Sequence, residues 1–239
     1  MLTKAVRRSS KRQRENMRTI VLNEDFRAVS RPESHGRSFI PYCLECPKLR
    51  IVRRIGIMNN LLPACSYQLA NPYDGFILPS DLLTVLVSWI EEATSLASHG
   101  MPAHSFQLVI DGHSEESMVG WNLLKYAAAT QEALLRQCRA NGKQPRARPA
   151  PIDYDCAFTG PWSLPAGFAQ MIRDIADGKS TVQYDGDVGE LWDPEEFYLG
   201  REAWTELEWE VEWEGQMTRF IPTKGWPSIS RKYCHESQD

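Results

Sequence analysis

Apolar side chains fall at Leu82, Leu83, Leu86, Trp89, Ile90, Ala93 and Ala97. Three-and-four spacing marks one face of an α-helix, and it predicts a helix that starts at an N-cap Ser80, with Asp81 in its first turn, and stops at Gly100. Further on, Phe106, Leu108 and Ile110 change the period to two, which predicts a short strand over residues 105–111 running into the Asp111-Gly112 turn. Ser114 then caps a long helix that Asn141-Gly142 ends near Ala140. The same reading predicts strands over 49–57, 152–158 and 180–184, and a short amphipathic helix on Phe168, Met171, Ile172 and Ile175, closed by Gly178.

Residues 205–214 read T-E-L-E-W-E-V-E-W-E. Strict alternation predicts a strand with Leu207, Trp209, Val211 and Trp213 on one face and Glu206, Glu208, Glu210, Glu212 and Glu214 on the other. A turn at Glu214-Gly215 would return the chain through a strand over 217–221, so the C-terminal third reads as a meander. The expected class is α+β: a single domain over residues 38–239, with a mostly antiparallel sheet packed against two or three helices. Residues 1–37, charged and broken by Pro32 and Gly36, read as a flexible, disordered basic tail.

Charge is polarised along the chain. Residues 1–54 carry 14 Lys/Arg against 5 Asp/Glu, whereas residues 185–214 carry 12 Asp/Glu against the single Arg201. Residues 55–124 hold no Lys or Arg, so nucleic acid is not expected to bind there. The longest apolar run, around residues 82–90, falls well short of the roughly 20 residues needed to cross a bilayer, so any membrane contact is expected to be peripheral. The N-terminus has no apolar stretch of the secretory type, and the six cysteines are expected as reduced thiols in cytoplasm or nucleus.

The basic residues Lys4, Arg7, Arg8, Lys11, Arg12 and Arg14 offer a polycation to anionic lipid or RNA, and Lys11-Arg12-Gln13-Arg14 has the form of a nuclear import signal. A mitochondrial presequence is the rival reading of the same stretch. Arg7-Arg8-Ser9-Ser10 has the form of a basophilic kinase site. The acidic face, Glu206, Glu208, Glu210 and Glu212 with Trp204 and Trp226 as aromatic anchors, is expected to meet a protein with a basic surface. An anionic strand that merely resists edge-to-edge aggregation is the plainer account of it.

Metal chemistry has only fragments. Cys43-x-x-Cys46, with Cys65 and His35, has the donor types of a zinc site but the spacing of no standard finger, so reduced cysteines and no cofactor are expected. Asp153 and Asp155 share one face of the predicted 152–158 strand without a third ligand or a phosphate loop. Residues 185–196 have calcium-loop carboxylates, yet Glu190 stands where the loop needs glycine. Neither a nucleophile elbow nor an HExxH is present, and no enzymatic activity or small-molecule substrate is expected.

Ser80-Asp81 with Trp89 after it, then residues 106–112 and a polar turn, then Tyr154-Asp155-Cys156 and Gly160-Pro161-Trp162-Ser163-Leu164-Pro165, together resemble the run of features in rhabdovirus matrix proteins. The resemblance covers roughly residues 75–170 and rests on pattern; no PPxY or PTAP-type motif occurs in the tail. It implies a non-enzymatic structural protein of virion assembly that condenses a nucleocapsid, touches anionic membrane, self-associates and enters the nucleus. The alternative function is an inhibitor or immunity-type protein whose acidic face blocks a basic partner such as a nuclease.

Overall fold

The computed structural model describes residues 16–24, 32–57, 61, 79–143, 160–217 and 220. Four strands, β1 (Thr19–Asn23), β2 (Arg50–Ile55), β3 (Phe106–Asp111) and β4 (Val182–Asp185), form one sheet in the order β1-β2-β3-β4, and all three pairings are parallel. Helices and a sheet are both present, but the expected antiparallel arrangement is overturned. The reason lies in the connections. An antiparallel pair can be closed by a tight turn, whereas a parallel pair needs a crossover that returns the chain to the same end of the sheet. A 3-10 helix (Pro32–Phe39) and α1 (Ile40–Glu45) lie between β1 and β2, and α2 (Pro79–Ser95) lies between β2 and β3. Helices α3 (Glu115–Ala140) and α4 (Phe168–Ala176) separate β3 from β4. Each strand is followed by helix, the alternation that builds parallel sheets.

The three helices that the 3.6-residue periodicity predicts all form, although Ser80, expected as the N-cap of α2, is itself helical. Leu82, Leu83, Leu86, Trp89, Ile90 and Ala93 of α2 are buried, and the chain turns at Gly100 with φ 94°. Ser114 accepts a hydrogen bond from the Ser117 N–H at the start of α3, and Asn141 and Gly142, with φ 62° at the glycine, end it. Gly178 (φ 69°) follows α4 in the same way.

One sheet face presents Ile51, Ile55, Phe106, Leu108, Ile110, Val182 and Tyr184, which share a core with Leu86, Trp89, Trp121, Leu124, Phe168 and Ile172 from the helices. The opposite face is polar. Arg50 donates to Gln107, and Gln107 Nε2 donates to Gln183 Oε1 at 2.7 Å, so a side-chain ladder crosses three strands. Arg54 meets Asp185 at 3.4 Å in a second row. Val52 and Val109 are buried between these rows. Parallel sheets normally bury both faces under helices; among the described residues this face instead carries the Arg50-Gln107-Gln183 ladder and the Arg54–Asp185 pair.

Strand β1 falls within the stretch expected to be tail. It pairs with β2 through Ile20↔Ile51 and Leu22↔Arg53, so the sheet begins well before residue 38. At the other end of the chain, α5 (Pro194–Tyr198) and α6 (Glu206–Met217) pack on α3, where the Tyr126 ring lies 6.0 Å from Phe197, 6.1 Å from Trp213 and 5.4 Å from Phe220. The expected glutamate strand is thus a helix, and the meander does not form. The predicted 152–158 strand lies outside the described residues, as does most of the one expected over 217–221.

Candidate functional site

Helix α6 decides how the glutamates are displayed. Thr205 and Glu208 make reciprocal contacts: Glu208 Oε2 accepts from the Thr205 N–H at 2.6 Å and its hydroxyl at 2.8 Å, while the Glu208 N–H donates to Thr205 Oγ1 at 3.3 Å. This is a capping box, which satisfies two backbone donors at a helix start. Trp209, Trp213 and Met217, four residues apart, are buried, and the Trp209 indole N–H donates to Gln137 Oε1 at 2.8 Å. Leu207 and Val211, expected in the core, are 66% and 63% exposed.

A helix turns about 100° per residue, so alternate residues lie about 200° apart and cannot share a face. The single acidic strip is therefore replaced by two rows. Glu208 is committed to the cap, and Glu212 meets Arg201 at 3.7 Å and accepts from Gln216 at 2.9 Å. On the other side Glu210 and Glu214 lie one turn apart and have no ionic partner among the described residues. By helical geometry they sit next to Leu207 and Val211, so one arc of α6 presents two carboxylates and two exposed apolar side chains. Glu206, in the first turn, faces a cavity of about 580 Å³ shared with Trp162, Trp204, Leu134 and Cys138. Trp204 is only half free to anchor a partner. Its ring packs edge-on against Trp209 with centroids 4.9 Å apart, and the Arg201 guanidinium lies 5.1 Å from its centroid.

The other expected sites are dispersed or lie elsewhere. Lys4, Arg7, Arg8, Lys11, Arg12, Arg14, Cys65, Asp153, Asp155 and Trp226 are outside the described residues. Cys43 and Cys46 are buried and His35 is exposed; burial, reinforced by Cys46, pushes the Cys43 thiol up to about 11. Among the described residues no three His, Cys, Asp or Glu side chains are grouped so as to hold a metal. In the 185–196 loop two carboxylates serve the backbone, Asp187 accepting from the Gly189 N–H at 2.9 Å and Asp193 capping α5, while Asp185 and Glu195 pair with Arg54 and Arg136. Lys125 donates to the Val188 and Glu190 carbonyls at 3.1 and 3.2 Å, and Trp121 donates to Val188 at 2.9 Å, so the loop is bolted to α3.

The carboxyl ends of parallel strands are where α/β folds place ligands. Here they bring Arg54, Asp111, His113 and Asp185 together, a grouping that the sequence alone did not reveal because it depends on the parallel register. His113 Nδ1 lies 2.8 Å from Asp111 Oδ1, which also accepts the His113 N–H at 3.1 Å and is held below the usual carboxylate range chiefly by that histidine. Both contacts span two residues of one turn. Behind them, a Cβ on Gly112 would come within 2.6 Å of the Gly186 Cα, so the two strand ends close on each other without room for a ligand between them.

No helix among the described residues is long and apolar enough to cross a membrane. No family model, curated protein or solved structure matches this chain.

Proposed function

We propose that this chain is a non-enzymatic adaptor or assembly protein in which residues 1–14 bind an anionic lipid surface and α6 binds a basic protein. The observation that carries the reading is the α6 arc. Leu207 and Val211 stand exposed beside Glu210 and Glu214, whose charges no described cation answers. Apolar contact area rimmed by charge suits a protein partner: the apolar pair supplies buried area, and the carboxylates select for a basic surface and speed encounter. The matrix-like likeness, with self-association and a nucleocapsid as the basic partner, belongs to the same proposal.

The test is sedimentation with phosphatidylserine vesicles at physiological salt, comparing the full chain with a variant in which Lys4, Arg7, Arg8, Lys11, Arg12 and Arg14 are all glutamine. Each basic residue near an anionic membrane contributes about 1 kcal/mol, so affinity should fall by about fivefold per charge removed. Retained vesicle binding would sink the lipid reading. Sedimentation with single-stranded RNA but not with vesicles would move the tail's target to nucleic acid.

A further inference from the structure

The two edges of the sheet end differently. At the β4 edge the core-facing Val182 and Tyr184 are 1% and 6% exposed, so the core closes there. At the β1 edge Ile20 and Leu22, which face the same core, are only half-buried, and Val21 on the polar face is 53% exposed. The backbone of β1 is open too. The Arg50 N–H donates to the Arg18 carbonyl at 2.8 Å and the Glu24 N–H to the Arg54 carbonyl at 2.9 Å, so the even-numbered residues here bond to β2. Thr19, Val21 and Asn23 therefore turn their N–H and C=O groups outward, and no described strand pairs with them. Edge strands that stay alone are commonly guarded by lysine, proline or a bulge. The sequence T-I-V-L-N has neither charge nor proline and is rich in β-branched side chains.

We infer that β1 is the seam of a twofold dimer, in which it pairs antiparallel with β1 of a second copy about an axis at Val21, so that the two sheets run on as one. A second copy fits this edge because the edge is complementary to itself. With Val21 opposite Val21, the outward groups of Thr19 meet those of Asn23, which gives about six hydrogen bonds in the alternation that an antiparallel pair requires. On the core side Ile20 comes to lie opposite Leu22 of the second copy, and Arg18 opposite its Glu24, so apolar meets apolar and opposite charges face each other. The axis stands normal to the sheet, which keeps the helices of both copies on one side and covers the half-buried pair at the seam. The inference rests on the self-association named in the proposed function and gives it a surface; it needs neither the tail nor α6. A seam of five residues is at the small end of interfaces, so the dimer is expected to dissociate on dilution. It also carries two copies of the α6 surface, which would hold a partner with repeated basic sites bivalently.

Sedimentation equilibrium of the full chain over a wide concentration range tests the seam. The expected result is a monomer–dimer equilibrium whose dissociation constant rises by about tenfold or more in Val21→Pro and in Val21→Lys, with the circular-dichroism spectrum unchanged. Proline at this position removes only an outward N–H and leaves the pairing with β2 intact. Lysine keeps that N–H and sets like charges opposite each other across the axis. Register is read from introduced thiols, with the links located by peptide mass spectrometry. Val21→Cys should cross-link to its own counterpart on mild oxidation, since directly paired residues have Cα atoms about 5.5 Å apart, within disulfide reach. Thr19→Cys, which comes opposite Asn23 of the second copy, should not. A chain that stays monomeric at every concentration would overturn the inference and the self-association in the proposed function with it. A dimer unmoved by both Val21 substitutions would overturn the inference alone, because self-association would then use another surface. So would a Thr19→Cys chain that links as readily as Val21→Cys.

Discussion

Arg53 is the residue whose position sequence logic would least expect. It points to the helix-covered face of the sheet, is 3% exposed, and donates to one Glu24 oxygen through Nε at 2.9 Å and Nη2 at 2.6 Å. The guanidinium also lies over the Trp89 ring, 4.4 Å from its centroid. Burial lowers its pKa, and Glu24 opposes that shift. A buried charge stripped of its partner is far more costly than one replaced outright by an apolar side chain. Glu24→Gln is therefore expected to lose about 3 kcal/mol and Arg53→Met about 1 kcal/mol or less. Urea unfolding of the two variants checks the order; a larger loss in Arg53→Met would show that the cation itself contributes net stability. A second prediction concerns alkali. Burial raises Cys43 to about 11, and burial, with Asp111 and Asp187 adding to it, raises Tyr184 to about 12. Both groups keep their protons in the folded state when the unfolded chain has begun to lose them. Their contribution is whole below the ordinary thiol and phenol values of 9.0 and 10.0 and declines as pH climbs through the folded ones. Unfolding midpoints should fall steadily above pH 9, and Cys43→Ala with Tyr184→Phe should flatten that decline.

At the scale of elements, α6 separates two readings of one sequence. Leu207→Ser and Val211→Ser would be severe in a half-buried strand. On the exposed side of a helix they should move stability by less than about 0.5 kcal/mol. Trp213→Ala, which empties a buried indole, should cost about 3–5 kcal/mol. Thr205→Ala, which removes the cap, should cost about 1 kcal/mol. Thermal melts of these four variants decide the matter. The helix was legible in T-x-x-E at residues 205–208 and in Trp209, Trp213 and Met217 at four-residue intervals; the period of two in Glu/apolar alternation coincided with that spacing and masked it. Helices α2, α3 and α4 were legible because a 3.6-residue period ran up to a stop glycine at Gly100, Gly142 and Gly178; of the two expected N-caps Ser114 holds, whereas Ser80 lies within α2. Strand β1 was missed because Thr19–Asn23 is five residues long between charged flanks, and its burial depends on β2. Strand direction was not local information at all: it follows from where the intervening helices pack. That is also why the grouping of Arg54, Asp111 and Asp185 could not be read from the chain.

Among the described residues the sheet is one-sided, with helices on one face and a hydrogen-bonded polar layer on the other, and along the sequence charge of opposite sign is concentrated toward the two ends. The polar layer has to do what a second set of helices does in most parallel sheets, namely keep Val52 and Val109 from water without offering an apolar surface. Arg50, Gln107 and Gln183 suit that role, because their ends bond to one another and long stems of this kind can cover neighbouring apolar groups. Replacing Gln107 and Gln183 together by leucine keeps the covering volume but breaks the ladder and exposes a contiguous apolar patch across β3 and β4. Neither glutamine is fully buried, so folding itself should be little affected. Exposed patches of that kind drive association. The double variant should keep its secondary-structure spectrum and its urea midpoint to within about 1 kcal/mol, while light scattering shows self-association that the parent lacks at the same concentration. A variant that stays as dispersed as the parent would mean that this face is covered in solution. The second layer of the sheet would then have to come from a part of the chain beyond the described helices.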